Sequence, residues 1–180
     1  MATVMGEVYS KKGYNYLEAR LDAHTDFLTG LRNRRYLEPI LERELFRVAR
    51  YGRPLSLIIL DLDGFKTVND THGHEVGDRV LKALARCLEE HLRQSDRAVR
   101  LGGEEFAVLL PETGLPQALR LAERLRQAVA ALKVPPAERL SASFGVAQAS
   151  PTDSPLSLLK RADEALYRAK RAGKNRVETA

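Results

Sequence analysis

The amino-acid sequence predicts an α/β (α+β) domain in which helices flank a central mixed or antiparallel sheet. Three observations lead there. Apolar residues recur at helical spacing in several long segments, and short apolar runs of strand length are interleaved with them. One of those runs, LSLIILD at 55–61, is apolar on both faces, as a covered central strand must be. Another pair of runs, on either side of GGEE at 102–105, is joined by so short a connection that a hairpin is the natural reading.

In chain order, residues 1–22 read as a connecting segment, partly helical, and residues 23–180 as the domain. Asn15 and Glu18 have capping-box spacing, which predicts a helix to about His24 with Leu17 and Leu21 on one face. DFLTGL at 26–31 is a turn-rich lead-in. Asn33 is placed to cap a helix to about Tyr51, with Leu37, Leu41, Leu45 and Val48 as its apolar stripe; Pro39 is awkward inside it. After the strand at 55–61, a long helix is expected over Glu75–Arg93, with Val76, Val80, Leu84, Leu88 and Leu92 spaced by four and Cys87 packed in the core. Strands follow at Val99–Leu101 and Phe106–Leu110, then a helix over about Pro116–Leu132. Leu140, Ala142, Phe144 and Val146 alternate with Ser141, Ser143 and Gly145, the period of two that marks a strand. Ser154-Pro155 opens a last helix that Gly173 ends.

Composition narrows the function. With 180 residues, 44% of them hydrophobic and 29% charged, the chain can bury one ordinary core. Its longest aliphatic run, Leu57–Leu60, is too short to span a bilayer, so no membrane role is expected of this segment. MATVMGEVYSKKG lacks the apolar core of a secretory signal. A single cysteine excludes an internal disulfide and favours a reducing, cytoplasmic location. The net charge of +5 suits either a solvated basic surface or an anionic partner. Aromatic residues are only 6% and tryptophan is absent, which argues against a base-stacking nucleic-acid binder.

The acidic residues carry the sharper signal. Asp61 ends the central strand, and Glu104 and Glu105 sit at the hairpin turn. Each alone reads as an ordinary solvated turn residue. If the hairpin lies beside the central strand, the three meet at one sheet end and repel unless a cation joins them. Mg²⁺ suits such a site, since it takes a few carboxylates plus substrate phosphates. Gly102 and Gly103 would let a ligand approach the backbone closely. Asp63-Gly64-Phe65-Lys66 forms a turn whose amides could cradle phosphate. Lys170 and Lys174, four apart, serve either phosphate or the helix dipole. His72 and His74 have no soft third ligand nearby and read as turn residues. No G-x-x-x-x-G-K-[ST] sequence is present, which excludes a P-loop.

GGEEF at 102–106 resembles the signature of GGDEF-domain diguanylate cyclases. DFLTGLRNRR at 26–35, DLDGFKTVNDTHGHEVGDRVL at 61–81, SFGVA at 143–147 and ADEALYRAKRAGKNRV at 162–177 resemble further motifs of that family, in order, over residues 22–178. The resemblance implies a fold similar to nucleotidyl cyclase and polymerase palm domains, and the condensation of two GTP into cyclic di-GMP with release of pyrophosphate. It implies metal binding by Asp61, Glu104, Glu105 and the Leu62 carbonyl, to two Mg²⁺ per active site or alternatively Mn²⁺. Catalysis would then rest on Asp61, Glu104 and Glu105. Asn69 and Asp78 match residues that read guanine; Gly102 and Gly103 match the turn against the nucleotide. Phe65, Lys66, Lys170 and Lys174 match substrate-binding positions, the last being Lys where many members carry Arg. A homodimer follows, because each domain would hold one GTP. A sensor domain upstream, outside this chain, fits the same pattern.

RQSD at 93–96 resembles the family's RxxD product-inhibition site. Arg93 and Asp96, supported by Arg120 and Arg124, would then bind cyclic di-GMP; the alternative is a surface salt bridge on a charged helix face. Two rivals to the enzyme reading stand beside it. One is a non-catalytic receptor of the same fold that binds GTP or cyclic di-GMP, against which the retained acids and lysines count. The other is a polymerase-like or basic nucleic-acid binder, disfavoured by the low aromatic content.

Overall fold

The computed structural model describes residues 23–180, so the helix expected from Asn15 lies almost wholly outside the described residues. Strand β1 (Arg32–Asn33) leads directly into helix α1 (Arg34–Tyr51). The Asn33 side-chain oxygen accepts the Tyr36 amide at 3.3 Å, and Gly52, at φ 67°, closes the other end. The predicted stripe Leu37, Leu41, Leu45 and Val48 is buried, and that burial carries the helix across exposed Pro39 despite the hydrogen bond the proline removes.

β2 (Leu55–Leu62) is the central strand, and it is followed by α2 (Phe65–His72) and α3 (His74–Glu90). α2 replaces the turn expected around Lys66. It fits between Gly64 at φ 65° and Gly73 at φ 88°, and none of its residues is fully buried, so no apolar period marked it. α3 stops short of the expected Arg93 because Asp96 accepts the Arg93 amide at 2.9 Å and closes the RQSD turn. β3 (Arg97–Gly102) and β4 (Glu105–Pro111) form the predicted hairpin, and α4 (Leu115–Ala130) follows. β5 (Ala142–Gln148), α5 (Pro155–Arg171) and β6 (Val177–Thr179) complete the chain. Ser154 and Ser157 form a reciprocal capping box at the start of α5, with Pro155 in its first turn.

The six strands lie in the order β1-β3-β4-β2-β5-β6. The inner four pair antiparallel, while β1 joins β3 and β6 joins β5 in parallel, which makes the sheet mixed. Helices cover both faces. α3 and α4 pack on the side of Ile58, Leu60, Phe106 and Val108; α1 and α5 pack on the side of Leu57, Ile59, Ala107 and Leu109. The alternation read in β5 therefore does not separate a dry face from a wet one. Ser143 and Gly145 are buried like their apolar neighbours, because α5 covers them.

Candidate active site

Strand register assembles the acidic cluster. At the end of β2, Asp61 lies opposite Glu105 of β4 on one side and Ser143 of β5 on the other. Counting by two from Leu57 and Ile59, and from Leu109 and Ala107, puts Asp61 and Glu105 on the face that carries α5. The Leu62 amide donates to the Glu104 carbonyl at 3.3 Å, which ties the hairpin turn to the central strand. In that turn Gly102 has φ 154° and Gly103 φ 49°; the second value is left-handed and favours glycine.

Arg100 braces the turn from outside. Its Nε and Nη2 donate to the Gly103 carbonyl at 3.0 and 2.8 Å, and its Nη1 pairs with Asp26 at 3.2 Å. Asp26 also accepts the Thr29 amide and hydroxyl at 3.0 and 2.6 Å. Burial works to raise the Asp26 pKa, but the bonds from Thr29 and the Arg100 charge outweigh it and hold the carboxyl below its ordinary range. The DFLTGL lead-in is thus a support for GGEEF, a contact 74 residues apart that no local pattern announced.

α5 delivers Lys170 to the same end of the sheet. Its ammonium donates to Asp63 Oδ1 at 2.9 Å and lies 3.3 Å from both Asp61 Oδ1 and the Leu62 carbonyl. Burial pushes the Asp61 carboxyl up; Lys170 opposes that push and Glu104 reinforces it. Burial likewise raises Glu105, with Asp163 and Asp61 adding repulsion. Asp63 behaves oppositely. Burial would raise it, yet hydrogen bonds from Lys170, Ser141 and Ser143 together hold it below the usual carboxylate range.

The other sequence-predicted residues divide. Phe65 is half-buried against the core at the start of α2, and Lys66 is exposed beside it. Asn69 presses against Gly77, where a Cβ would stand 1.9 Å from the Asn69 Oδ1. That oxygen is buried and has no hydrogen-bond partner among the described residues. Asp78, next to Gly77, is exposed. Lys174 does not share a helical face with Lys170, since α5 ends at Arg171; it is exposed in the following turn at φ 64°. The Asp63 carboxylate, read only as part of a phosphate-cradling turn, and the side chains of Ser141, Ser143 and Arg100, given no role by the sequence, are neighbours of the site.

The RQSD residues converge separately. Arg93, Asp96, Arg120 and Arg124 line one cleft of about 300 Å³ together with His91, Thr113 and Gln117. The Asp96 carboxylate is buried and pairs with Arg93, whose Nη2 also donates to the Thr113 hydroxyl at 2.6 Å. Arg120 and Arg124 stand one turn apart on the exposed face of α4.

The chemistry of the first cluster suits a hard cation. Every donor is an oxygen, and Asp61 carries a carboxylate charge that its surroundings do not fully compensate. Among the described residues, no group of three or more His, Cys, Asp or Glu side chains is disposed to hold an ion by itself. Glu105, opposite Asp61 in the sheet, also lines a cleft of about 450 Å³ with Arg34, Ile59 and Asp163. Asp61, Glu104, Glu105 and the Leu62 carbonyl are together a partial set of the kind Mg²⁺ completes with phosphate oxygens.

A family model described as "Diguanylate cyclase, GGDEF domain" matches residues 23–176. The chain belongs to the GGDEF family. It is 42% identical over 187 aligned positions to the response regulator PleD of Caulobacter vibrioides, with 98% of this chain and 41% of PleD covered. It is 46% identical to diguanylate cyclase DgcP of Pseudomonas aeruginosa, with 95% of this chain and 26% of DgcP covered. The chain therefore spans less than half the length of these relatives. Among solved structures, the coiled coil and GGDEF domain of DgcB from Caulobacter crescentus, crystallised with c-di-GMP, superposes with a TM-score of 0.92 at 34% identity, covering 99% of this chain and 96% of that one. The mixed six-stranded sheet is thus the fold of GGDEF domains, and diguanylate cyclases of this family generally require a divalent metal. Among the described residues no helix is long and apolar enough to cross a membrane.

Proposed function

We propose that this GGDEF domain condenses two GTP molecules into cyclic di-GMP and pyrophosphate. The observation that carries the reading is the meeting of Asp61, Glu104 and Lys170 at the end of β2, beside a glycine turn that leaves room for a nucleotide. In each bond-forming step a 3′-oxygen attacks the α-phosphorus of the other GTP, pyrophosphate leaves, and the hydroxyl proton is lost. Asp61, Glu104 and the Leu62 carbonyl would hold the divalent ions, with Glu105 as a further ligand. Such ions lower the pKa of the hydroxyl and neutralise charge on the leaving group. Lys170 adds a fixed positive charge at the same place, and Lys66 and Lys174 extend it over the polyphosphate. Catalysis on this account is positioning and electrostatics.

Asn69 Oδ1 is a buried acceptor in need of a donor, and guanine offers the N–H groups to satisfy it. Asp78, adjacent to Gly77, supplies a second acceptor. Gly77→Ala drives a Cβ into the Asn69 carboxamide, which is free to swing away. The expected result is a KM for GTP raised about tenfold with little change in melting temperature, read by steady-state kinetics and thermal unfolding.

One domain holds one GTP and the product has two new phosphodiester bonds, so turnover requires a homodimer with facing sites. Cyclic di-GMP made there would act back at the Arg93–Asp96 cleft, where guanidinium groups can meet phosphate or the guanine acceptor edge. Arg93→Ala is expected to raise the inhibitory product concentration at least tenfold while leaving initial turnover intact. An unchanged inhibition curve would reject that site. The central test is incubation of the purified protein with GTP and Mg²⁺, followed by chromatography of the nucleotides. No cyclic di-GMP from a folded dimer stripped of bound product would overturn the enzyme reading in favour of a receptor.

A further inference from the structure

The Asp63 carboxylate is fully bonded. Its Oδ1 accepts from Lys170 at 2.9 Å and Ser143 at 2.7 Å; its Oδ2 accepts from the Ser141 hydroxyl at 2.6 Å and the Asn175 amide at 3.0 Å. A carboxylate has about four lone-pair directions, and here each has a donor. Its side chain is only 8% exposed. Asp61, two residues away, has Lys170 as its one side-chain hydrogen-bond partner among the described residues. Asp63 is therefore saturated where Asp61 is available, and it has no capacity left for an ion or a substrate.

Two of its four donors lead to the lysines assigned above to the polyphosphate. Lys170 is bound directly. Asn175 follows Lys174 in a turn where both residues have positive φ, 64° and 46°, an arrangement unfavourable for lysine without support. Both backbone amides of that turn are held, Lys174 by the Ala169 carbonyl at 3.0 Å and Asn175 by Asp63, while Arg126 donates to Asn175 Oδ1 at 3.1 Å and Arg176 to the Lys174 carbonyl at 3.2 Å. Ser141 and Ser143 hold the carboxylate from β5 and its approach.

We propose that Asp63 is a positioning residue that locks the Lys170 ammonium and the Lys174–Asn175 turn to the end of β2 as one unit, setting both lysines for the substrate's polyphosphate. The assignment rests on the GTP reading above. It makes the affinity for polyphosphate depend on a residue that never touches it. Binding gains because the cations are already ordered before the nucleotide arrives.

The test is titration calorimetry with a non-hydrolysable GTP analogue and Mg²⁺, on wild type, Asp63→Asn, Lys170→Met and the double variant, with cyclic di-GMP production by wild type measured in parallel. Asp63→Asn is expected to weaken analogue binding about tenfold, the scale of one charge-assisted hydrogen bond. In the Lys170→Met background the same change should cost clearly less, because part of its route is already cut. Should Asp63→Asn fail to fold, Ser141→Ala and Ser143→Ala each remove one of the four bonds, and each must then weaken binding in the same direction. Unaltered binding, or full additivity with Lys170→Met, in a protein whose wild type makes product overturns the Asp63 assignment alone. A wild type that neither binds the analogue nor makes product overturns both readings.

Discussion

Glu104→Gln lowers cyclic di-GMP production by about a thousandfold or more, in line with removal of a principal charge from a preorganised electrostatic site. The substitution keeps the shape of the side chain and leaves the Glu104 carbonyl to accept the Leu62 amide, so the hairpin stays tied to the central strand. It removes the negative charge that helps to raise the Asp61 carboxyl. Asp61 then moves back toward the ordinary carboxylate range, and the protein is no less stable than wild type. The measurement pairs chromatographic product analysis with thermal unfolding in chelator. A variant that keeps a tenth of wild-type turnover would show that Glu104 is not among the groups that hold the metal. Lost turnover with a collapsed melting temperature would show that Glu104 supports the fold instead.

The outcome bears on how far a sequence displays its own site. The strand-end Asp61 and the Gly-Gly-Glu-Glu turn were legible because each follows a local rule: an apolar run ending in an acid, and a two-glycine connection too short for anything but a hairpin. The RQSD turn and its partners on α4, Arg120 and Arg124, were legible only through the family resemblance, and the fold brings them to one cleft. α2 was not legible, since FKTVNDTH contributes no fully buried residue and so leaves no period to count. β1 and β6, two and three residues long, are defined by their neighbours in the sheet and carry no pattern of their own. The role of Asp63 was hidden for a different reason. Its donors lie 78 to 112 residues away, and only the folded register brings Ser141, Ser143, Lys170 and Asn175 to one carboxylate. Spacing along a helix puts Lys170 and Lys174 on one side, but α5 stops between them at Arg171.

Gly145→Ala destabilises the domain by about 3 kcal/mol, the upper range for overpacking a close contact, which corresponds to roughly 6–12 °C in melting temperature for a chain of this size. Gly145 sits in β5 between Phe144 and Val146, paired with Ile59 of the central strand. A Cβ built there would stand 2.1 Å from the Ala162 carbonyl oxygen and 2.3 Å from the Leu166 nitrogen. Both are backbone atoms of α5, so no side-chain rotation relieves the clash; the helix itself must move. The contrast with Gly77 is instructive, because there the obstructing atom belongs to a carboxamide that can turn aside. Lys170 lies one turn beyond Leu166 on the same helix, and its 2.9 Å bond to Asp63 depends on where α5 rests. The expected signature is therefore double: a lowered melting temperature and weaker binding of the GTP analogue in the fraction that remains folded. Wild-type affinity in a destabilised Gly145→Ala variant would mean that Lys170 reaches the carboxylates from a displaced helix as well as from the native one. Loss of both together would tie the packing of one glycine under α5 to the charge balance at Asp61.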